Sequence, residues 1–83
     1  MNNDQATLCL TNGTFGQALD ALKAGVAVSR VGWNGKNMYL KLQRPDAQSK
    51  MTLPYIYMFT AQEDLVPWLA SQSDMLSEDW GTL

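Results

Sequence analysis

The sequence predicts an α+β fold: a small antiparallel β-sheet, built as a meander, with one N-terminal helix and a short C-terminal helix. Three observations lead there. "TFGQALDALKAG" (14–25) carries apolar residues at helical spacing between two end signals. Residues 26–61 hold alternating runs separated by turn-forming stretches. The tail, "EDLVPWLASQSDMLSEDWGTL", contains a serine cap followed by an acidic residue and a short apolar pair.

The first helix is marked at both ends. Thr14 and Gln17 have the spacing of a capping box, in which each side chain satisfies a backbone N–H that the helix leaves free. Phe15, Ala18, Leu19 and Leu22 fall on one face, whereas Gln17, Asp20 and Lys23 fall elsewhere. Lys23 suits the negative end of the helix dipole, and Gly25 suits a left-handed C-terminal cap.

"VAVSRVGW" reads as a strand with Val26, Val28 and Arg30 on one side and Ala27, Ser29 and Val31 on the other. Gly32 suggests a bulge or a close approach by another group. Asn34-Gly35 is a strong two-residue hairpin signal. In "NMYLKLQ", Met38, Leu40 and Leu42 are expected to face the core, and Tyr39, Lys41 and Gln43 to face away. "RPDAQSK" is a polar turn. "LPYIYMFTA" is a third strand with Tyr55, Tyr57 and Phe59 on one face and Ile56 and Met58 on the other. A strand apolar on both faces in so short a chain needs a second covering surface, and a subunit interface supplies one.

In the tail, Pro67 rules out a regular central strand. Ser71 or Ser73 caps a short helix with Asp74 in its first turn, and Met75 and Leu76 are expected to anchor it. "DWGTL" reads as a brief terminal strand. The chain is expected to form a single domain, residues 1–13 being an N-terminal strand or extended segment. Cys9 is read as a small hydrophobe in an early strand.

Composition narrows the function. The 83 residues are 46% hydrophobic and only 17% charged, so much of the surface is free to meet a partner subunit or a ligand. The net charge is −2, and Lys23, Arg30, Lys36, Lys41, Arg44 and Lys50 form no stripe, which argues against duplex nucleic acid as a partner. With one cysteine and no histidine, neither a Cys/His zinc site nor a Ser-His or Cys-His nucleophile is available. No phosphate-binding glycine loop is present. No apolar run approaches the roughly 18 residues a membrane span needs, so the expectation is a cytoplasmic protein with no membrane partner. The reading is of a non-enzyme with no catalytic residue, no metal and no cofactor.

The surplus lies in aromatic and amide groups. Trp33, Trp68 and Trp80 each sit beside a loop, where an indole finds both an apolar contact and a hydrogen-bond acceptor. An aromatic ring can stack on a purine, an Asn amide can pair with adenine, and an Asp can accept from ribose hydroxyls. Phe15, Trp33, Asn34, Asp74 and Asp79 supply such groups. These residues fit a small nucleotide-like ligand. A protein partner fits them as well.

The segments "FGQALDALKAGVAVSRVGWNGKNMYL", "PYIYM" and "LVPWLASQSDMLSEDW" resemble a small family widespread in phages and prophages and long catalogued as a domain of unknown function. The resemblance runs from Thr14 to Trp80. That family includes the second class of Thoeris anti-defence proteins, which act as sponges. They hold a cyclic nucleotide immune signal, a glycocyclic ADP-ribose, without cleaving it, and some relatives hold cyclic oligonucleotides of the CBASS system at a separate site. The resemblance implies a homotetramer, a dimer of dimers with shared ligand pockets, acting in the host bacterial cytoplasm during infection. Carried onto this chain, it implies Phe15, Trp33 and Trp80 as aromatic walls, Asn34, Gln72 and Asp74 as polar contacts, and Arg30 and Lys36 beside the pyrophosphate. The alternative is a protein-binding module that inhibits a host defence protein through the Tyr55/Tyr57/Phe59 face.

Overall fold

The computed structural model describes residues 10–33 and 35–83; Cys9, and Asn34 at the expected hairpin, lie outside the described residues. Helix α1 (Phe15–Lys23) begins at the capping box that the sequence marks. The Gln17 N–H donates to Thr14 Oγ1 at 3.2 Å, and the Thr14 N–H donates to Gln17 Oε1 at 2.9 Å. At the other end Gly25 adopts φ +90°, a region that costs other residues a steric clash. Its N–H reaches the Leu22 carbonyl while the Val26 N–H reaches that of Ala21, which closes a Schellman motif.

Five antiparallel strands follow: β1 (Val28–Arg30), β2 (Tyr39–Gln43), β3 (Tyr55–Phe59), β4 (Leu65–Pro67) and, after the short helix α2 (Gln72–Leu76), β5 (Trp80–Thr82). Their order in the sheet is β4-β3-β2-β1-β5. The first four form the expected meander, and the last strand returns to lie beside the first. Pro67, which lacks an N–H to donate, ends an edge strand as its chemistry requires. Beyond β5, Gly13 and Trp80 exchange backbone hydrogen bonds and Thr82 donates to Leu10, so residues 10–13 line the outer side of that strand.

Directly paired residues share a face of an antiparallel sheet. One face carries Val28, Leu40, Leu42, Ile56, Met58, Arg30 and Trp80. Helix α1 lies across this face and buries Ala18, Ala21 and Leu22 against Val28, Leu40 and Trp80. Each fully buried Val or Leu stabilises the fold by roughly 1.5–3 kcal/mol. The opposite face carries Tyr39, Lys41, Gln43, Tyr55, Tyr57 and Phe59, and no helix of the described residues covers it. Tyr39 and Phe59 stack there with ring centroids 5.1 Å apart.

Two expectations need correction. The strands do not run up to a two-residue turn: β1 ends at Arg30 and β2 starts at Tyr39, with Val28 opposite Leu40 as their paired residues. The physical reason is competition for donors, because the N–H groups of Val31 and Gly32 go to Asp79 rather than to β2. Nor do Met75 and Leu76 anchor α2; they are 44% and 79% exposed. The anchor is Asp74, whose side chain closes a capping box with Ser71 and points into the protein.

Candidate functional site

Arg30 closes β1 opposite Trp80, on the face that meets the helices. Its guanidinium spans two carboxylates: Nε donates to Asp79 Oδ1 at 2.9 Å and NH1 to Asp74 Oδ1 at 2.8 Å. Each carboxylate is held by further donors. Asp74 Oδ2 accepts from the Ser71 N–H at 3.1 Å and from its hydroxyl at 2.9 Å. Asp79 Oδ2 accepts from the Gly32 N–H at 2.8 Å, and its Oδ1 also accepts from the Ser77 hydroxyl. Gly32 eases this approach, since a Cβ there would meet Asp79 Oδ2 at 3.0 Å, a tight contact that the carboxylate would have to relieve.

The charges are fixed accordingly. Hydrogen bonds from Arg30 and then Ser77 hold the Asp79 carboxyl at about 2. Burial alone would raise that of Asp74, but donors from Arg30, Ser71 and Trp33 keep it below the usual carboxylate range. The bonds to Asp79 and Asp74 raise the Arg30 pKa further. One cation therefore faces two carboxylates, and the cluster stays anionic.

Trp33 joins this cluster to open space. Its indole Nε1–H donates to Asp74 Oδ1 at 3.3 Å, and its ring stands edge-on to Trp80, with centroids 5.4 Å apart. Trp80 in turn packs against Phe15 and Trp68 and donates its own indole N–H to the Asp74 carbonyl at 3.0 Å. Trp33 also lines a cleft of about 500 Å³, large enough for a small organic ligand. Ser29, Tyr39 and Phe59 line it from the open face of the sheet, and Gly35, Asn37 and Met38 from the 31–38 connection.

The eight residues singled out in the sequence divide three ways. Phe15, Arg30, Trp33, Asp74 and Trp80 come together as one contiguous cluster. Within it only Trp33 and Arg30 border the cleft, because Trp80 is fully buried and Asp74 spends both carboxylate oxygens on protein donors. Lys36 is exposed between the cleft-lining Gly35 and Asn37, while Gln72 is exposed on α2, away from the cleft. Asn34 lies outside the described residues. Sequence reasoning did not find Tyr39, Phe59 and Asn37 as cleft residues. Alternation turns Tyr39 away from the core and groups Phe59 with Tyr55 and Tyr57, but only the strand register sets Tyr39 and Phe59 side by side. Asn37 adopts φ +62°, and Asn tolerates this region better than most residues.

Comparison with known proteins adds two findings. The family model described as the Thoeris anti-defense 2-like domain matches residues 13–83. A Bacillus phage SP01 protein named "Thoeris anti-defense 2" is 40% identical over a match that covers 84% of this chain and 93% of the phage protein. Among the described residues no helix is long and apolar enough to cross a membrane, and no group of three metal-ligating side chains is gathered.

Proposed function

The chain belongs to the Thoeris anti-defense 2-like family, and on that premise we propose that it is a sponge that binds a cyclic nucleotide immune signal and holds it without cleaving it. Family membership gives it a phage anti-defence role. The finer reading takes a glycocyclic ADP-ribose as the first ligand to consider and cyclic oligonucleotides as the second. It also takes a homotetramer as the working assembly and the cytoplasm of the infected bacterium as the place of action.

The observation that carries this reading is Trp33. Trp33 is half-buried, its indole is held by Asp74 and Trp80, and the residue lines the open cleft. A ring fixed in this way offers a base a stacking surface that loses little entropy on binding. Tyr39 and Phe59 enlarge the aromatic wall, and the Asn37 amide and Ser29 hydroxyl add polar groups at its rim. Holding a ligand needs no activated nucleophile, which suits a chain without histidine.

The test is recovery of the ligand. The protein is mixed with glycocyclic ADP-ribose, freed of unbound ligand, denatured by heat, and the supernatant read by mass spectrometry. Intact ligand in the supernatant is the expected result. A hydrolysed product means an enzyme, and recovery of nothing from a panel of cyclic ADP-ribose isomers and cyclic oligonucleotides overturns the sponge reading.

A further inference from the structure

Val31, Trp33, Gly35, Asn37 and Met38 line the cleft between β1 and β2, yet those strands do little to fix them, because their pairing ends at Val28 and Leu40. The first amides of the 31–38 connection are anchored elsewhere. The Val31 N–H donates to the Asp79 carbonyl at 3.2 Å, the Gly32 N–H to Asp79 Oδ2 at 2.8 Å and the Trp33 N–H to the Arg30 carbonyl at 3.3 Å. The Trp33 indole N–H ends on Asp74. Both aspartates are set by the Arg30 guanidinium, and Asp74 is itself held rigid by the Ser71 capping box and by Trp80.

We propose that Arg30 is a positioning residue: by bridging Asp74 and Asp79 it sets the pose of Trp33 and of the backbone of residues 31–33 beside the cleft. The inference deepens the sponge reading and rests on it for the ligand. The geometry favours this role over direct contact with a phosphate. Nε and NH1 are committed to protein carboxylates, and the cluster around Arg30 carries one more negative charge than positive. A lysine at position 30 keeps the charge but has no planar fork with which to hold two carboxylates in fixed directions.

The experiment follows the indole N–H resonances of the full chain, labelled with nitrogen-15, for wild type, Arg30→Lys and Asp79→Asn; a Trp33→Phe variant identifies the Trp33 signal. In the absence of ligand, both variants are expected to shift the Trp33 resonance and speed its exchange with solvent, while the Trp68 resonance keeps its position. Affinity for glycocyclic ADP-ribose is expected to fall about tenfold, the factor attached to one charge-assisted hydrogen bond. Asp79→Asn preserves the side-chain shape and carries the test if Arg30→Lys does not fold. An unmoved Trp33 resonance in a folded variant overturns the proposal, as does a moved resonance with unchanged affinity. If wild type binds none of the nucleotides, the sponge reading fails by itself, and the ligand-free spectra still decide whether Arg30 sets Trp33.

Discussion

Trp33 and Trp80 meet edge to face, with their ring planes at 82°, and their indole N–H groups end on the same residue, Trp33 on the Asp74 carboxylate and Trp80 on the Asp74 carbonyl. The two rings nevertheless differ in kind. Trp80 is 0% exposed and sits at the centre of the core, whereas Trp33 is half-buried and lines the cleft. Substitutions at the two positions should therefore separate binding from stability.

Trp33→Ala removes the stacking surface, together with one edge contact to Trp80 and one hydrogen bond to Asp74, and leaves the fully buried residues in place. Aromatic stacking of a base is worth roughly 1–3 kcal/mol, so affinity for glycocyclic ADP-ribose should fall roughly 5- to 150-fold. Titration calorimetry reads the affinity and a thermal melt the stability. An unchanged dissociation constant would remove Trp33 from the site.

Trp80→Ala should do the reverse in order of magnitude. It empties a fully buried space between Phe15, Trp33 and Trp68 and is expected to cost about 3–5 kcal/mol. Denaturant unfolding at constant m-value measures this. For a chain this short, such a loss approaches the whole stability, so any loss of ligand retention would follow from unfolding.

The carboxylates make stability depend on acid. Asp79 has a folded pKa of about 2, against about 3.9 for an unperturbed Asp, and Asp74 is also lowered. A depressed carboxyl contributes stability that is fully present above its unfolded pKa and lost as pH falls through its folded value. Wild type should therefore lose thermal stability between about pH 4 and pH 2. Asp79→Asn should be less stable at pH 6 and show a shallower fall over that acid range. Equal slopes in both proteins would mean that the Arg30 pair contributes nothing to stability.

How much of this the sequence carries depends on whether a feature is local. The α1 capping box, the Gly25 cap, the Ser71 cap and the alternation of β2 involve residues within a few positions of one another, and all are legible. The α+β class follows from them. The length of the β1–β2 connection is misread because the competitor is remote: Asp79, 47 residues beyond Gly32, takes that amide. The same distance hides the site. Sequence brings Trp33 and Asp74 forward as separate candidates, but only the folded chain shows that Asp74 serves Trp33 and Arg30.

Gly35 tests how tightly the connection is seated. A Cβ at this position would lie 2.7 Å from the Ala61 Cβ and 2.5 Å from the Met38 Sδ. The Met38 side chain can swing away, but Ala61 has no further rotamer to offer. Gly35→Ala should push the connection off the β3–β4 turn and weaken ligand retention, with little change in the melting temperature because neither Gly35 nor Ala61 is part of the buried core. Retention equal to wild type would show that the connection moves freely without cost to the site.

The open face of the sheet bears on assembly. Tyr57 lies there directly opposite Lys41 and next to Pro67, with Tyr39, Phe59 and the 64%-exposed Leu65 around it. Tyr57→Glu places a carboxylate across from Lys41, a cross-strand pair that a lone chain tolerates or gains from. Between subunits the same carboxylate would have to leave water, which costs several kcal/mol unless it is fully paired. Light scattering on wild type should then give a mass near that of four 9.2-kDa chains, about 37 kDa, and on Tyr57→Glu a smaller species that keeps its sheet by circular dichroism. A monomeric wild type would rule out shared pockets. A variant that still forms tetramers would move the interface off this face and leave the tyrosines exposed in the assembly.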